Sequence, residues 1–353
     1  QTLFYTIQDN TNRPYQVHRY DRGSKIHKLV YNEKDQSYYV SIKKTKDQSL
    51  LIVEIESQIT SEARYLYADK PKSKLKLFSK RNKGVEYNIF KHLDDIYLLT
   101  NKDAKNFKII KTNLNNKHKN VFLEHDLNRR ISYVSIFNHY MAVFFRENGL
   151  PMIKVFDFNK EEFHTISMPD DNYSISIGSN KEFNSSKLRF KYSSLITPQT
   201  DFDYDMNDEK LITINQIKIP SGYAKEKYKT KRVFATSHDN VKVPISLMYR
   251  EDLLLNGTAP LLLTGYGSYG SNYDPYFSTN RISLIDRGFV YAIAHIRGGG
   301  EMGRDWYENG KLLSKKNTFH DFISCSEFLI DNQYTSSDYL IIEGGSAGGL
   351  LIG

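Results

Sequence analysis

The sequence contains a single cysteine, Cys325, among its 353 residues. One cysteine cannot form an internal disulfide, which fits a reducing compartment and predicts a cytoplasmic location. Cys325 falls within a predicted helix over residues 319–330, so we interpret it as a core residue and not as a nucleophile. The sequence also lacks a run of about 18 apolar residues, so no transmembrane helix and no membrane partner are predicted.

The excess of positive charge is small. Lys and Arg number 49 against 41 Asp and Glu, which gives a formal charge of +8 spread along the chain. There is no basic helix, no zinc-ligand spacing and no aromatic RNA-binding motif, so neither nucleic acid nor a metal is expected. Three glycines at 298–300 match neither a P-loop nor a dinucleotide fingerprint, and no cofactor is predicted. They are interpreted as a tight, substrate-facing or structural loop, and the adjacent Glu301 as a structural residue.

Residues 1–225 are rich in short alternating strands separated by polar turns. With 26 Tyr and 20 Phe in the chain, a large aromatic core or a high sheet content is expected. Strand–turn–strand units recur roughly every 35–60 residues, close to the blade length of a β-propeller. A β-sandwich, or two small β-domains, is the alternative. The units span residues 4–20, 38–55, 96–110, 141–156 and 188–205.

Residues 226–353 have a different pattern. A hairpin over 233–249 is followed by continuous apolar strands at 260–264 and 289–294. Helices are predicted at 282–287, ending at Gly288, and at 318–330, with Thr318 as N-cap and Asp321 three residues on in a capping-box arrangement. Buried strands that alternate with helices predict a mainly parallel sheet. The domains are therefore predicted as 1–225 and 226–353.

The stretch 344–348 reads Gly-Gly-Ser-Ala-Gly, a G-x-S-x-G pentapeptide. An apolar strand precedes it at 340–342 and an apolar helix start follows at 350–352, which together are typical of the nucleophile elbow of α/β-hydrolases. The candidate nucleophile is Ser346, and the backbone N–H of Ala347 would face an oxyanion at the helix N-terminus. Close strand–helix approach would leave no room for side chains at the flanking glycines. The alternative is a simple Gly-rich turn.

A serine hydroxyl needs a base to take its proton. In α/β-hydrolases the acid and the histidine follow the serine, and here only seven residues follow Ser346. His295 and His320 precede it, and both are interpreted as structural. The catalytic machinery is therefore expected to be incomplete in a chain that reads as a piece of a longer protein. Tyr266, in a Gly-rich loop over 265–270, is a candidate oxyanion donor through its hydroxyl, or else a packed aromatic residue.

Several spaced motifs together resemble the prolyl oligopeptidase family of serine peptidases, and within it the oligopeptidase B branch. The branch is suggested by the alanine that follows Ser346, where prolyl-cleaving enzymes usually carry asparagine. The motifs are Tyr-Gly-Ser-Tyr-Gly at 266–270, Asp-Arg-Gly-Phe-Val at 286–290, His-Ile-Arg-Gly-Gly-Gly-Glu at 295–301, Trp-Tyr at 306–307, Lys-Asn-Thr-Phe at 316–319 and Gly-Gly-Ser-Ala-Gly-Gly at 344–349.

The resemblance implies a seven-bladed β-propeller that caps an α/β-hydrolase domain, with this chain holding the later blades and the first half of the hydrolase. It implies that Ser346 attacks a peptide carbonyl while the Tyr266 hydroxyl and the Ala347 amide hold the oxyanion. It also implies short peptide substrates cleaved after Lys or Arg, with the acidic specificity groups beyond Gly353. The alternatives are a prolyl-specific or acylaminoacyl peptidase of the same family, or a propeller interaction module with an inactive hydrolase tail. The oligomeric state is not predicted.

Overall fold

A computed structural model describes residues 2–353. The first two thirds of the chain form five successive antiparallel sheets, in which strands adjacent in sequence are adjacent in the sheet. The sheets are β1 (Thr2–Gln8), β2 (Pro14–Asp21) and β3 (Ile26–Asn32); β4 (Tyr39–Lys44), β5 (Leu50–Glu56), β6 (Ser61–Tyr67) and β7 (Lys76–Ser79); β8 (Tyr87–His92), β9 (Asp95–Thr100), β10 (Lys108–Thr112) and β11 (Asn120–Leu123); β12 (Arg129–Ile136), β13 (Tyr140–Glu147), β14 (Leu150–Asp157) and β15 (Glu162–Thr165); and β16 (Tyr173–Ile177), β17 (Lys187–Ser194), β18 (Thr200–Asp205) and β19 (Lys210–Gln216).

The hydrophobic cores of this region each join two consecutive sheets. Ile52 of the second sheet shares a core with Ile89 of the third, and Phe144 of the fourth shares one with Phe190 of the fifth. Serial packing of small antiparallel sheets is the architecture of a β-propeller, which leaves each blade covered by its neighbours. The propeller prediction is confirmed. The β-sandwich alternative is wrong, because a sandwich has one core between two opposed sheets.

The last third of the chain folds around a five-stranded mixed sheet of order β20-β21-β23-β22-β24. Strand β21 pairs antiparallel with both of its neighbours, whereas β22 pairs parallel with β23 and with β24. Four strands therefore run in one direction, as the alternation of strands and helices predicts. The strands are β20 (Tyr228–Thr236), β21 (Lys242–Arg250), β22 (Leu261–Gly265), β23 (Val290–Ala294) and β24 (Leu340–Glu343).

The helices are α1 (Thr279–Ile285), α2 (Arg304–Glu308), α3 (Lys316–Asp331) and α4 (Ala347–Ile352), with short 3₁₀ turns at Lys225–Lys227 and Leu312–Ser314. Both predicted helices, 282–287 and 318–330, are present as α1 and α3, but each begins and ends at other residues than predicted. Helix α1 ends three residues before Gly288, whose φ of 87° reverses the chain toward β23.

The capping prediction for α3 is wrong. The helix begins at Lys316, so Thr318 lies inside the first turn and is fully buried. Its hydroxyl donates to the carbonyl oxygens of Arg297 at 2.8 Å and Gly310 at 3.1 Å. Asp321 is also fully buried and accepts hydrogen bonds from Arg297 and Ser237. Both side chains that the local sequence pattern assigned to the helix cap therefore form hydrogen bonds with residues outside the helix.

Polar contacts join the propeller to the last third of the chain. The side-chain oxygen of Asn106 accepts from the Arg304 amide at 2.9 Å, and Ser246 donates to Asn172 at 2.9 Å. Arg146 of β13 forms an ion pair with Asp274. The boundary between residues 225 and 226 stays a prediction that falls between β19 and β20. Among residues 2–353, none of the helices combines the length and the apolar character needed to cross a bilayer.

Candidate active site

Ser346 lies where β24 turns into α4. Its backbone has φ 54° and ψ −121°, a combination that residues other than glycine rarely adopt. The turn is closed by hydrogen bonds from the Gly348 amide to the Gly345 carbonyl at 2.8 Å and from the Gly349 amide to the Ser346 carbonyl at 2.9 Å. The serine is exposed at this bend. The strand, the strained turn and the helix of the predicted elbow are therefore all present.

The first and last residues of the pentapeptide are glycines because the backbone of the turn packs closely against its neighbours. A Cβ built on Gly344 would lie 2.1 Å from the Gly348 carbonyl oxygen, and one on Gly348 would lie 2.8 Å from the Gly265 carbonyl oxygen. Both distances are too short for any side chain. At Gly345 the same construction meets nothing within 4 Å. The expectation that the flanking positions leave no room for side chains is confirmed at Gly344 and Gly348.

Ala347 is the first residue of α4. The amides of the first helical turn lack intrahelical acceptors, and the helix dipole places partial positive charge there. Within residues 2–353, the Ala347 N–H, directly after Ser346, is therefore a free hydrogen-bond donor next to the serine side chain. Helix α4 has only six residues, so the local amides of the turn matter more than the dipole.

The loop that carries Tyr266 lies against the elbow. A Cβ built on Gly348 would lie 3.6 Å from Cδ2 of the Tyr266 ring. The ring is half-buried, and its hydroxyl makes no hydrogen bond to any residue in the range 2–353. The phenol is thus held by packing, and its O–H remains available to a ligand.

Lys315 holds the Tyr266 loop in place through hydrogen bonds. Its ammonium group donates to the Gly267 carbonyl at 2.6 Å and to the Ser268 hydroxyl at 2.9 Å. Burial lowers the pKa of Lys315. The Tyr266 loop is also hydrogen-bonded to the loop at 297–300, because the Gly270 amide donates to the Gly298 carbonyl at 3.0 Å. Our sequence reasoning missed Lys315, because a single lysine before a helix carries no distinguishing signal.

Neither candidate histidine contacts Ser346. Nε2 of the buried His295 lies 2.6 Å from the Ser246 hydroxyl, and the ring of the exposed His320 packs against His238 at a tilt of 39°, with ring centroids 4.3 Å apart. The Ser346 hydroxyl has no hydrogen-bond partner within the described part of the chain. Cys325 is fully buried in α3, and burial raises the pKa of its thiol, as expected for a core residue.

Glu301 is buried beside His295. One carboxylate oxygen accepts from the Tyr273 amide at 2.8 Å, and the other has no partner among residues 2–353. Burial raises the pKa of Glu301 to about 7 and lowers the pKa of His295 to about 3. The imidazole is therefore neutral at pH 7, so its 4.0 Å approach to Glu301 is not an ion pair. Glu301 holds the segment that follows the Tyr266 loop, in line with the structural interpretation.

Two family descriptions match the chain. "Prolyl oligopeptidase, N-terminal beta-propeller domain" matches residues 1–216 and "Prolyl oligopeptidase family" matches residues 275–353. The first match alone covers more than half of the chain. The chain belongs to the prolyl oligopeptidase family. The resemblance that the sequence motifs suggested is thereby confirmed, and the elbow lies within the matched region.

Individual family members also match over almost the entire chain. "Protease 2" of Moraxella lacunata is 36% identical over 99% of this chain and 51% of its own, and "Dipeptidyl aminopeptidase BI" of Pseudoxanthomonas mexicana is 35% identical over 100% and 50%. The solved oligopeptidase B of Leishmania major aligns with a TM-score of 0.90 at 32% identity, covering 99% of this chain and 51% of that one. The chain spans about half the length of the curated relatives it matches.

A solved complex extends the likeness to the oligopeptidase B branch. The closed form of oligopeptidase B from Trypanosoma brucei with covalently bound antipain aligns with a TM-score of 0.90 at 33% identity, over 99% of this chain and 52% of that one. Solved prolyl endopeptidases align at lower identity, 24% in one case. The branch assignment from the residue after Ser346 agrees with these identities.

Proposed function

We propose that this chain is part of a serine oligopeptidase that hydrolyses short peptides on the carboxyl side of Lys or Arg. The observation that carries the proposal is the backbone of Ser346, with φ 54° and ψ −121° at the head of α4 and the Tyr266 loop beside it. Strained backbone conformations at non-glycine residues cluster at functional sites. Similarity to proteins named Protease 2 and oligopeptidase B supports a peptide substrate.

In the proposed reaction, the Ser346 hydroxyl oxygen attacks the carbonyl carbon of the scissile bond, and a general base accepts the hydroxyl proton. The carbonyl oxygen becomes an oxyanion that accepts hydrogen bonds from the Tyr266 hydroxyl and the Ala347 amide. Collapse of the tetrahedral intermediate breaks the C–N bond, and the protonated base returns the proton to the leaving amine. Water then hydrolyses the acyl-enzyme by the reverse sequence of proton transfers.

The base and the acid that orients it are expected beyond Gly353, as are the groups that select Lys or Arg. The propeller would restrict entry to short peptides. A cytoplasmic location is part of the proposal, supported by the single, buried Cys325. The identity of 35% to a protein named dipeptidyl aminopeptidase BI is the reason to test several peptide classes.

Covalent labelling of the full-length protein with a fluorophosphonate tests the mechanism. We expect one label, on Ser346, and none in the Ser346→Ala variant. Fluorogenic peptides with Arg, Lys, Pro or Ala before the scissile bond then test the substrate class, and hydrolysis of the Arg and Lys peptides is expected. A well-folded protein that takes up no label would support the interaction module. Labelling together with a preference for Pro or for acylated amino-terminal residues would support another branch of the family.

A further inference from the structure

A cavity of about 420 Å³ lies between the propeller and the Tyr266 loop. The propeller contributes the charged residues Glu56, Glu86, Arg130 and Arg146 to its wall, and the hydrolase contributes Gly270 and Asn272. Gly270 ends the loop that begins at Tyr266, so one loop carries both the proposed oxyanion donor and part of the cavity wall. A peptide that is bound at Ser346 and continues along this loop would reach the cavity.

Two arginines face each other across neighbouring strands at this cavity. Arg130 of β12 is directly opposite Arg146 of β13. Like charges at opposed positions in a sheet are destabilising. Arg146 is compensated, since it forms an ion pair with Asp274 and donates to the Gly149 carbonyl at 3.0 Å.

Arg130 has no such compensation. Its guanidinium makes no hydrogen bond and no ion pair with any residue between 2 and 353. Burial lowers the pKa of Arg130, and the positive charge of Arg304 lowers it further. Glu86 attracts it, but Glu86 also lies 3.9 Å from Arg304 and accepts a hydrogen bond from Asn101 at 3.2 Å. An arginine that is largely desolvated, repelled by its neighbours and unpaired is suited to an anionic ligand.

The charged residues that line the cavity indicate which kind of anion Arg130 would bind. A guanidinium binds a carboxylate through two parallel N–H···O bonds, and it binds phosphate equally well. Glu56 and Glu86 line the same space, and a doubly charged phosphate would meet both of them. A singly charged carboxylate is repelled less than phosphate by these two glutamates, so it fits a cavity lined by both arginine and glutamate better. In a peptide, this group is supplied by the C-terminus or by an Asp or Glu side chain.

We propose that Arg130 is a specificity-determining residue that binds a carboxylate of the peptide substrate in the cavity between the propeller and the Tyr266 loop. The inference rests on the proposed function for the nature of the ligand. The propeller then takes part in substrate selection through a charged group, in addition to limiting access by size. The like-charge pair of Arg130 and Arg146 is retained because substrate supplies the missing partner.

Binding to the full-length Ser346→Ala variant tests the inference without turnover. Four fluorescent pentapeptides with a central Arg are compared by anisotropy. They carry a free C-terminal acid, a C-terminal amide, an amide with one Glu, and an amide with Gln at the same position. At least one carboxylate peptide should bind about tenfold more tightly than its neutral counterpart, as for a charge-assisted bond. The acid–amide and Glu–Gln pairs distinguish the two sources of the carboxylate.

Variants then assign the preference to Arg130. Arg130→Gln should remove it, Arg130→Lys should retain part of it, and Lys187→Gln should leave it unchanged. Lys187 is the matched control, because it is an exposed cation on another blade. In the enzyme with Ser346 intact, Arg130→Gln should raise KM for the preferred peptide about tenfold and leave kcat nearly unchanged.

Absence of any carboxylate preference, or a preference that survives in Arg130→Gln, overturns the inference. Hydrolysis of the Arg and Lys peptides by the intact enzyme is scored separately. If hydrolysis occurs without a carboxylate preference, only the role of Arg130 fails. If an Arg130-dependent preference occurs without hydrolysis, the carboxylate site stands and the proposed peptidase activity fails.

Discussion

Arg297 and Asp321 form a buried ion pair that ties the loop after β23 to helix α3. The Arg297 guanidinium donates to the two carboxylate oxygens at 2.9 Å and 2.6 Å, and the Arg297 amide donates to the same carboxylate at 3.0 Å. Asp321 is fully buried. Arg297 also pairs with Asp239 at the turn between β20 and β21. Arg297 thus links three elements: the β20–β21 hairpin, the loop after β23 and helix α3.

Removing the charge of Asp321 should destabilise the protein. Asp321→Asn leaves Arg297 buried with only the partly exposed Asp239 as a counter-charge. We expect the free energy of unfolding to fall by about 3 kcal/mol, the lower end for breaking a buried pair. Urea unfolding of the full-length protein measures the change. Asp331→Asn, at the exposed end of the same helix, is the control. Equal stability of the two variants would contradict this role of the ion pair.

The Tyr266 hydroxyl should matter for rate and not for stability. It makes no hydrogen bond within residues 2–353, so Tyr266→Phe removes no contact that holds the fold. We expect kcat to fall about 10²–10³-fold, as on losing one oxyanion donor, with little change in KM or in the melting temperature. Tyr269→Phe is the matched control, since Tyr269 lies in the same loop and is 78% exposed. A variant at Tyr266 with normal kcat would show that the ring only packs.

The elbow and the repeated blades could be predicted because their signals are local. An apolar strand, a G-x-S-x-G turn and an apolar helix start are adjacent in the sequence, although the strand is largely exposed and not buried. The two strands of each predicted propeller unit are adjacent in the sequence as well. The predicted units contain two strands of each propeller sheet, and the other nine propeller strands were missed: β3, β6, β7, β8, β11, β12, β15, β16 and β19. Of these, β7, β11 and β15 have only four residues each and are mostly half-buried or exposed, so they lack the alternation that marks a strand.

The contacts of the site could not be predicted because their partners are distant in the sequence. Asp321 follows Thr318 at capping-box spacing, and only the folded chain brings Arg297 against it. Lys315 and the Gly267 carbonyl are 48 residues apart. Arg130 and Arg146 lie on strands whose register fixes them opposite each other, and a one-residue change of register would separate them. The sequence pattern identifies the strands but does not fix which side chains meet.

The two glycines before Ser346 should respond differently to substitution. A Cβ on Gly344 would lie 2.1 Å from a backbone oxygen that cannot move without displacing α4, whereas Gly345 faces open space. Gly344→Ala should lower the free energy of unfolding by about 1–3 kcal/mol, as for overpacking, and should slow fluorophosphonate labelling. Gly345→Ala should stay within about 0.5 kcal/mol and should label normally. Similar behaviour of the two variants would mean that the turn is not as tight as the geometry indicates.

The buried Glu301 should make stability depend on pH. Its folded-state pKa of about 7 lies above the ordinary value of 4.5, so between these values the folded state binds the extra proton and stability falls as pH rises. The total loss is about 3 kcal/mol at 1.36 kcal/mol per unit. His295, with its pKa lowered to about 3, acts with the opposite sign up to about pH 6.5 and masks part of this slope. Arg146 and Asp274 also act on Glu301, the first lowering and the second raising its pKa.

Glu301→Gln separates the two effects, since it keeps an acceptor for the Tyr273 amide and cannot ionise. The stability of this variant relative to wild type should rise by about 3 kcal/mol between pH 4.5 and pH 7 and then stay constant. Urea unfolding at half-unit steps from pH 4.5 to pH 8.5 measures the difference. Glu327→Gln, on the exposed side of α3, controls for the loss of a carboxylate elsewhere. If the difference for Glu301→Gln is independent of pH, the buried carboxyl does not titrate in this range and its unpartnered oxygen is solvated or paired in solution.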